Sequence, residues 1–99
     1  MIVRIVKMEF KKECIASFKS LFEDKKEMIK SFPGCCYLEL LQGTEAKENV
    51  FVTYSHWESE SDLNAYRYSD LFKVTWVETK AMFSRKAEAI SFHKLHSLI

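Results

Sequence analysis

Apolar and polar positions change period several times along this chain, and each change marks an element. Residues Ile2 to Phe10 are rich in isoleucine and valine and read as a strand. From Lys11 to Ser31 the period lengthens. Ile15, Phe18, Phe22, Ile29 and Phe32 fall at helical spacing, Leu21 and Met28 widen the stripe, and lysines and glutamates fill the opposite face. Pro33-Gly34 stops this helix and turns the chain. Cys35 to Gln42 reads as a second strand, Gly43 to Asn49 as a polar turn and Val50 to Trp57 as a third strand, close enough to the second for an antiparallel hairpin. Ser59 suits an N-cap, with Asp62 three residues on, and a short helix through Leu63 and Tyr66 follows. Ser69 caps a second helical segment carrying Leu71, Phe72, Trp76 and Phe83, with Arg85 and Lys86 at its C-terminal end. Ala87 to Leu95 reads as the last strand.

This order predicts an α+β fold of ferredoxin-like β-α-β-β-α-β plan, an antiparallel sheet with helices on one face only. The other face needs a cover. In the first strand Ile2, Val6, Met8 and Phe10 point one way and Val3 and Ile5 the other. In the second, Leu38 and Leu40 oppose Tyr37 and Leu41; in the third, Val50, Val52 and Tyr54 oppose Phe51 and Trp57. A half-solvated sheet alternates more cleanly between apolar and polar. With both faces apolar and helices for one, a second copy of the chain is the expected cover, giving a homodimer through the sheet face.

Composition narrows the picture further. Ninety-nine residues are enough for a single domain, expected over residues 1–99. Apolar residues make up 47% and the formal net charge is +1 with the charges spread, which argues against disorder and against a phosphate-binding stripe. No apolar run reaches the ~18 residues of a membrane span. The N-terminus has no charged leader before an apolar stretch, so the cytoplasm is the expected compartment and no membrane partner is expected. Three cysteines leave one over from any disulfide framework, and Cys35 and Cys36, as neighbours, are expected to face opposite sides of a strand. His93 and His96 are three apart on the expected last strand, on opposite faces, so no metal site is expected there.

Four blocks keep their order and spacing over nearly the whole chain: Phe32-Pro33-Gly34-Cys35, Thr53-Tyr54-x-x-Trp57-Glu58-Ser59, Tyr66-Arg67-x-Ser69-x-x-Phe72-x-x-x-Trp76 and Lys86-Ala87-Glu88-Ala89. Together they resemble the antibiotic biosynthesis monooxygenase family. The resemblance implies a dimeric α+β barrel, and a cofactor-independent oxygenase of small phenolic, quinol or polyketide-like aromatics, with no cofactor. Haem-degrading relatives use a first-strand asparagine and an axial histidine on the last helix; here the strand has no asparagine and the helical position falls at Trp76.

An oxygenase of this kind needs an apolar pocket, groups that hold the substrate, and a base. His56 and Tyr66 are the candidate catalytic residues, and Tyr54, Arg67 and Trp76 the candidate substrate-binding ones. A histidine titrates near neutral pH and can take a phenolic proton. Arg67 can orient an anionic substrate. The expected pocket lies between the sheet and the bent helical segment, lined by Tyr54, His56, Tyr66 and Trp76. The alternatives are a non-catalytic small-ligand barrel and an RNA-binding module. The latter shares the element order, but Lys47 to Tyr54 lacks the glycine and first aromatic of the RNA-recognition signature, so no nucleic-acid partner is expected.

Overall fold

The computed structural model describes residues Met1–Ile99. Its elements are β1 (Ile2–Phe10), α1 (Ile15–Lys30), β2 (Cys35–Gln42), β3 (Val50–Trp57), α2 (Glu60–Arg67), α3 (Asp70–Lys80) and β4 (Phe83–His93). The four strands form one sheet in the order β2-β3-β1-β4, every neighbouring pair antiparallel. This is the ferredoxin-like α+β arrangement read from the element order. β1 takes a central position, where Ile2, Val3, Val6, Met8 and Phe10 are all buried. No helix is long and apolar enough to cross a membrane.

The local chemistry at the helix ends explains where each begins and stops. Gly34 adopts φ +90°, and a Cβ there would collide with the side chain of Asp62. Its carbonyl accepts a hydrogen bond from the backbone N–H of Glu58 at 2.9 Å, tying the end of α1 to the approach of α2. Both expected N-caps form. The Ser59 hydroxyl accepts from the N–H of Asp62 at 3.1 Å, and that of Ser69 from the N–H of Phe72 at 3.1 Å. Ser69 also donates to the carbonyl of Tyr66 at 2.6 Å, which fixes the bend between α2 and α3.

The bounds of α1 and β4 differ from expectation. α1 starts at Ile15, after a single 3₁₀ turn at Lys12–Cys14, rather than at Lys11. β4 starts at Phe83, not Ala87, and ends at His93, so Phe83, Arg85 and Lys86 belong to the strand and not to the helix, and His96 lies beyond it. The reason is tertiary. Phe83 pairs with Phe10, and its ring packs 5.2 Å from the Phe10 ring and 5.5 Å from Trp76. A side chain that satisfies the helical period is thereby drawn into the sheet edge. The first of three register irregularities leaves Cys36 as the extra residue between the Cys35–Trp57 and Tyr37–His56 pairs. Cys35 is consequently buried and Cys36 exposed. The other two fall between β1 and β4, one on either side of Glu9.

The helices cover one face of the sheet. The other carries apolar side chains in the open on both outer strands: on β2 Tyr37 is 42% exposed and Leu41 47%, and on β4 Ile90 is 56% and Phe92 45%. Isolated exposed apolar residues are ordinary, but four on one sheet face form a patch.

Candidate active site

The helix-facing positions of β3 read Phe51, Thr53, Ser55 and Trp57, a large–small–small–large series. Opposite them in register stand Met8, Val6, Arg4 and Ile2 of β1, and on β2 Leu40 and Leu38 face Thr53 and Ser55. The two large ends nucleate separate apolar clusters. Trp57 and Ile2 pack with Ile29, Leu63 and Tyr66 at one end; Phe51, Met8 and Phe10 pack with Val6 and Phe18 at the other. Over the small pair the helices do not close onto the sheet. A cavity of about 80 Å³ remains, lined by Arg4, Ser55, Trp57, Tyr66, Thr75 and Trp76 among others. One water needs roughly 10–15 Å³ of such space, so the void is several times that size.

Aromatic rings form its wall. Tyr66 stacks on Trp57 with ring centroids 4.9 Å apart and planes at 24°. Phe72, on the wall, and Phe32, outside it, meet the Tyr66 ring edge-on at 5.2 and 5.4 Å. Phe72 in turn stacks on Trp76 at 5.8 Å and 10°. The polar groups inside are few. Ser55 accepts a hydrogen bond from the Trp57 indole N–H at 3.0 Å, which leaves its own proton to donate. Thr75 Oγ1 is buried without a hydrogen-bond partner. Burial pushes the Tyr66 phenol up to about 12, against the opposing field of the nearby Arg4 guanidinium. Tyr66 is therefore a protonated donor at neutral pH, not a base.

Of the five candidate residues, only Tyr66 and Trp76 line this cavity. Tyr54 and His56 lie on the opposite face, so the expected four-residue pocket is not formed. The cause is the period of two: Thr53, Ser55 and Trp57 face the helices, and Tyr54 and His56 must face away. There they join Tyr37 in an aromatic cluster, with His56 5.0 Å from Tyr54 and 5.2 Å from Tyr37. Tyr37 donates to the Glu39 carboxylate, which pushes the Tyr37 phenol up. His56 Nε2 is out of solvent with no partner, and its pKa is lowered, first by desolvation and then by the charge of Lys94. Arg67 is exposed on α2, donating to Asn64 Oδ1 at 3.5 Å.

Arg4 is the cavity residue that the pattern reading passed over. It interrupts the core-facing series Ile2, Val6, Met8 and Phe10, and a charged residue at that phase was the available signal. Desolvation is the main cause of its lowered pKa, followed by the charge of Arg67.

The antibiotic biosynthesis monooxygenase family model matches residues 1–76. Among solved structures, one described as an antibiotic biosynthesis monooxygenase superposes with a TM-score of 0.89 at 17% identity, over 97% of this chain and 100% of the other. A conserved protein from Methanosarcina mazei gives 0.87 at 23% identity, over 96% and 94%. SnoaB, a cofactor-independent oxygenase from Streptomyces nogalater, gives 0.86 at 18% identity, over 98% and 95%. At these identities the likeness speaks for the fold. No curated protein matches the chain.

Proposed function

This chain belongs to the antibiotic biosynthesis monooxygenase family, and from that premise we propose that it is a cofactor-independent monooxygenase of a small phenol or quinol bound in the cavity between sheet and helices. The observation that carries the reading is the aromatic-walled cavity itself, with a few inward hydroxyls in an otherwise apolar lining. SnoaB, similar in fold, supports the reaction type. In such a reaction the ionised substrate donates an electron to oxygen, and the radical pair combines at a ring carbon. The resulting hydroperoxide loses water to leave a carbonyl. One oxygen atom enters the ring; the other leaves as water with the ring hydrogen and the phenolic proton. Trp57, Tyr66 and Trp76 supply flat apolar walls for the ring, and the Tyr66 hydroxyl donates to a substrate oxygen.

The far sheet face is assigned to a second copy, with Tyr37, Leu41, Ile90 and Phe92 at the contact and Tyr54 and His56 beneath it. His56 then reaches a proton only from that side, and Arg67 acts on the cavity through its field alone.

Oxygen uptake by the purified, metal-free protein across a panel of hydroquinones and phenols tests the proposal. The expected result is consumption above spontaneous autoxidation, with one labelled atom from oxygen gas in the product and water, not peroxide, as the other fate. Binding of the panel without consumption would instead make this a non-catalytic ligand-binding barrel.

A further inference from the structure

We infer that the cavity is an anion site: its ligand is a planar aromatic carrying an ionised oxygen, carboxylate or phenolate, held by the Arg4 guanidinium with Ser55 and Tyr66 as flanking donors. The inference rests on the reading of this cavity as the substrate site and names the substrate's charge.

Arg4 is half-buried in the middle of the core face of β1, between the buried Ile2 and Val6. The chain's ion pairs join Lys26 to Glu23 and Arg85 to Glu9; Arg4 has none. None of the sixteen residues lining the cavity is an acid, and the formal charge whose field acts on Arg4 is a second cation, Arg67. A desolvated charge without a partner is costly, and proteins ordinarily pair or expose it. Here its surroundings withhold a partner and leave it room. The residues paired with Arg4 on both neighbouring strands are serines, Ser55 and Ser91. Ser55 lines the cavity beside Arg4, and its short side chain takes up little of that space.

The donors around it match an oxyanion. Guanidinium presents a planar fork that suits a carboxylate bidentately and a phenolate through one or two N–H groups. Ser55 has a proton to give because its oxygen accepts from Trp57. Tyr66 is a protonated donor held in place by its stack on Trp57. For a phenolic substrate the same cation favours the ionised form, the one that passes an electron to oxygen. Arg4 would then raise reactivity and affinity together.

Trp57 and Trp76 are the chain's two tryptophans and both line the cavity, so intrinsic fluorescence reads occupancy directly. The carboxylate arm compares 2,5-dihydroxybenzoate with its neutral amide. The phenolate arm uses 4-nitrophenol, whose ionised form absorbs separately from the neutral one. The expected result is a preference for the anion of roughly 10- to 100-fold in at least one arm, the scale of a charge-assisted hydrogen bond. Arg4→Met should abolish that preference, and Arg4→Lys should keep part of it. Arg4→Met should also leave the melting temperature unchanged or raised, because it removes an unpaired desolvated charge. A structural arginine would instead cost stability on removal. Equal binding of anion and neutral isostere in both arms, or an anion preference that survives in folded Arg4→Met, would overturn the inference. The oxygenase reading stands or falls separately: oxygen uptake by a protein that shows no anion preference in either arm keeps it and sinks the anion site. Anion binding without uptake does the reverse.

Discussion

The indole of Trp57 and the phenol ring of Tyr66 lie in near-parallel contact, centroids 4.9 Å apart, and this pair joins β3 to α2 at one end of the cavity. Trp57 is 1% exposed and its N–H is satisfied by Ser55. Trp57→Ala should therefore cost about 3–5 kcal/mol in equilibrium unfolding, the range for deleting a buried aromatic. Tyr66→Phe keeps the stack and should cost far less. If catalysis uses the Tyr66 hydroxyl, that variant loses turnover while holding its melting temperature. A Tyr66→Phe protein as active as the parent would leave Tyr66 as a wall and nothing more.

Tyr66 also carries a pH signature. Its phenol titrates near 10 unfolded and about 12 folded, because burial disfavours the phenolate. The folded state binds this proton more tightly, so the stabilisation is fully present below pH 10 and is lost as pH rises towards 12. The loss is about 2–3 kcal/mol at most, by the free-energy equivalent of such a difference. Unfolding curves between pH 9 and 12 should slope more steeply downwards in the parent than in Tyr66→Phe. Parallel curves would show that the phenol is not held in its neutral form by the fold.

The architecture was legible because each strand and helix has its own period and its own stop: Pro33-Gly34, Ser59 and Ser69 all act as their chemistry suggests. The site was half legible. Tyr66 and Trp76 follow from helical spacing towards the core. Tyr54 and His56 were misgrouped with them, although the alternation that buries Trp57 turns both residues away. Arg4 stood at a core phase of β1 and could have been read there. The cavity itself had no sequence signature of comparable strength. It arises where Thr53 and Ser55 lie under helices held apart by the large residues at both ends, a matter of tertiary packing. The start of β4 was hidden for a similar reason, since Phe83 fits a helical stripe and a sheet edge equally well.

His56 gives the far face a pH dependence of the opposite sign. Its pKa is lowered, first by desolvation and then by Lys94, with Glu39 pulling the other way. The neutral ring is the one the fold favours. Its contribution is therefore intact above the ordinary histidine value near 6.5 and falls away as pH drops below it. With a second copy seated on this face, desolvation deepens and dimerisation acquires the same dependence. Sedimentation at micromolar concentration should give twice the 11.7 kDa chain mass at pH 8 and a growing monomer fraction towards pH 5. His56→Phe should remove the trend. A monomer at every pH would eliminate the sheet-to-sheet dimer, and a dimer indifferent to pH would remove His56 from its interface.

Filling the cavity separates the two faces as sites of chemistry. Thr53 stands over the void between the Phe51 and Trp57 ends, in register with Val6 of β1 and Leu40 of β2. Thr53→Leu adds apolar volume where about 80 Å³ is open, so it can gain contacts without forcing a dense core apart. Cavity filling of this kind commonly adds about 0.5–2 kcal/mol, and the melting temperature should hold or rise. Ligand binding and oxygen uptake should nonetheless fall by an order of magnitude or more, because the added side chain occupies the space proposed for the ring. Tyr54 and His56, on the other side of the sheet, are untouched by the change. A stable Thr53→Leu protein with full turnover would therefore move the chemistry out of this cavity and onto the far face, where His56 is the group with a proton to exchange.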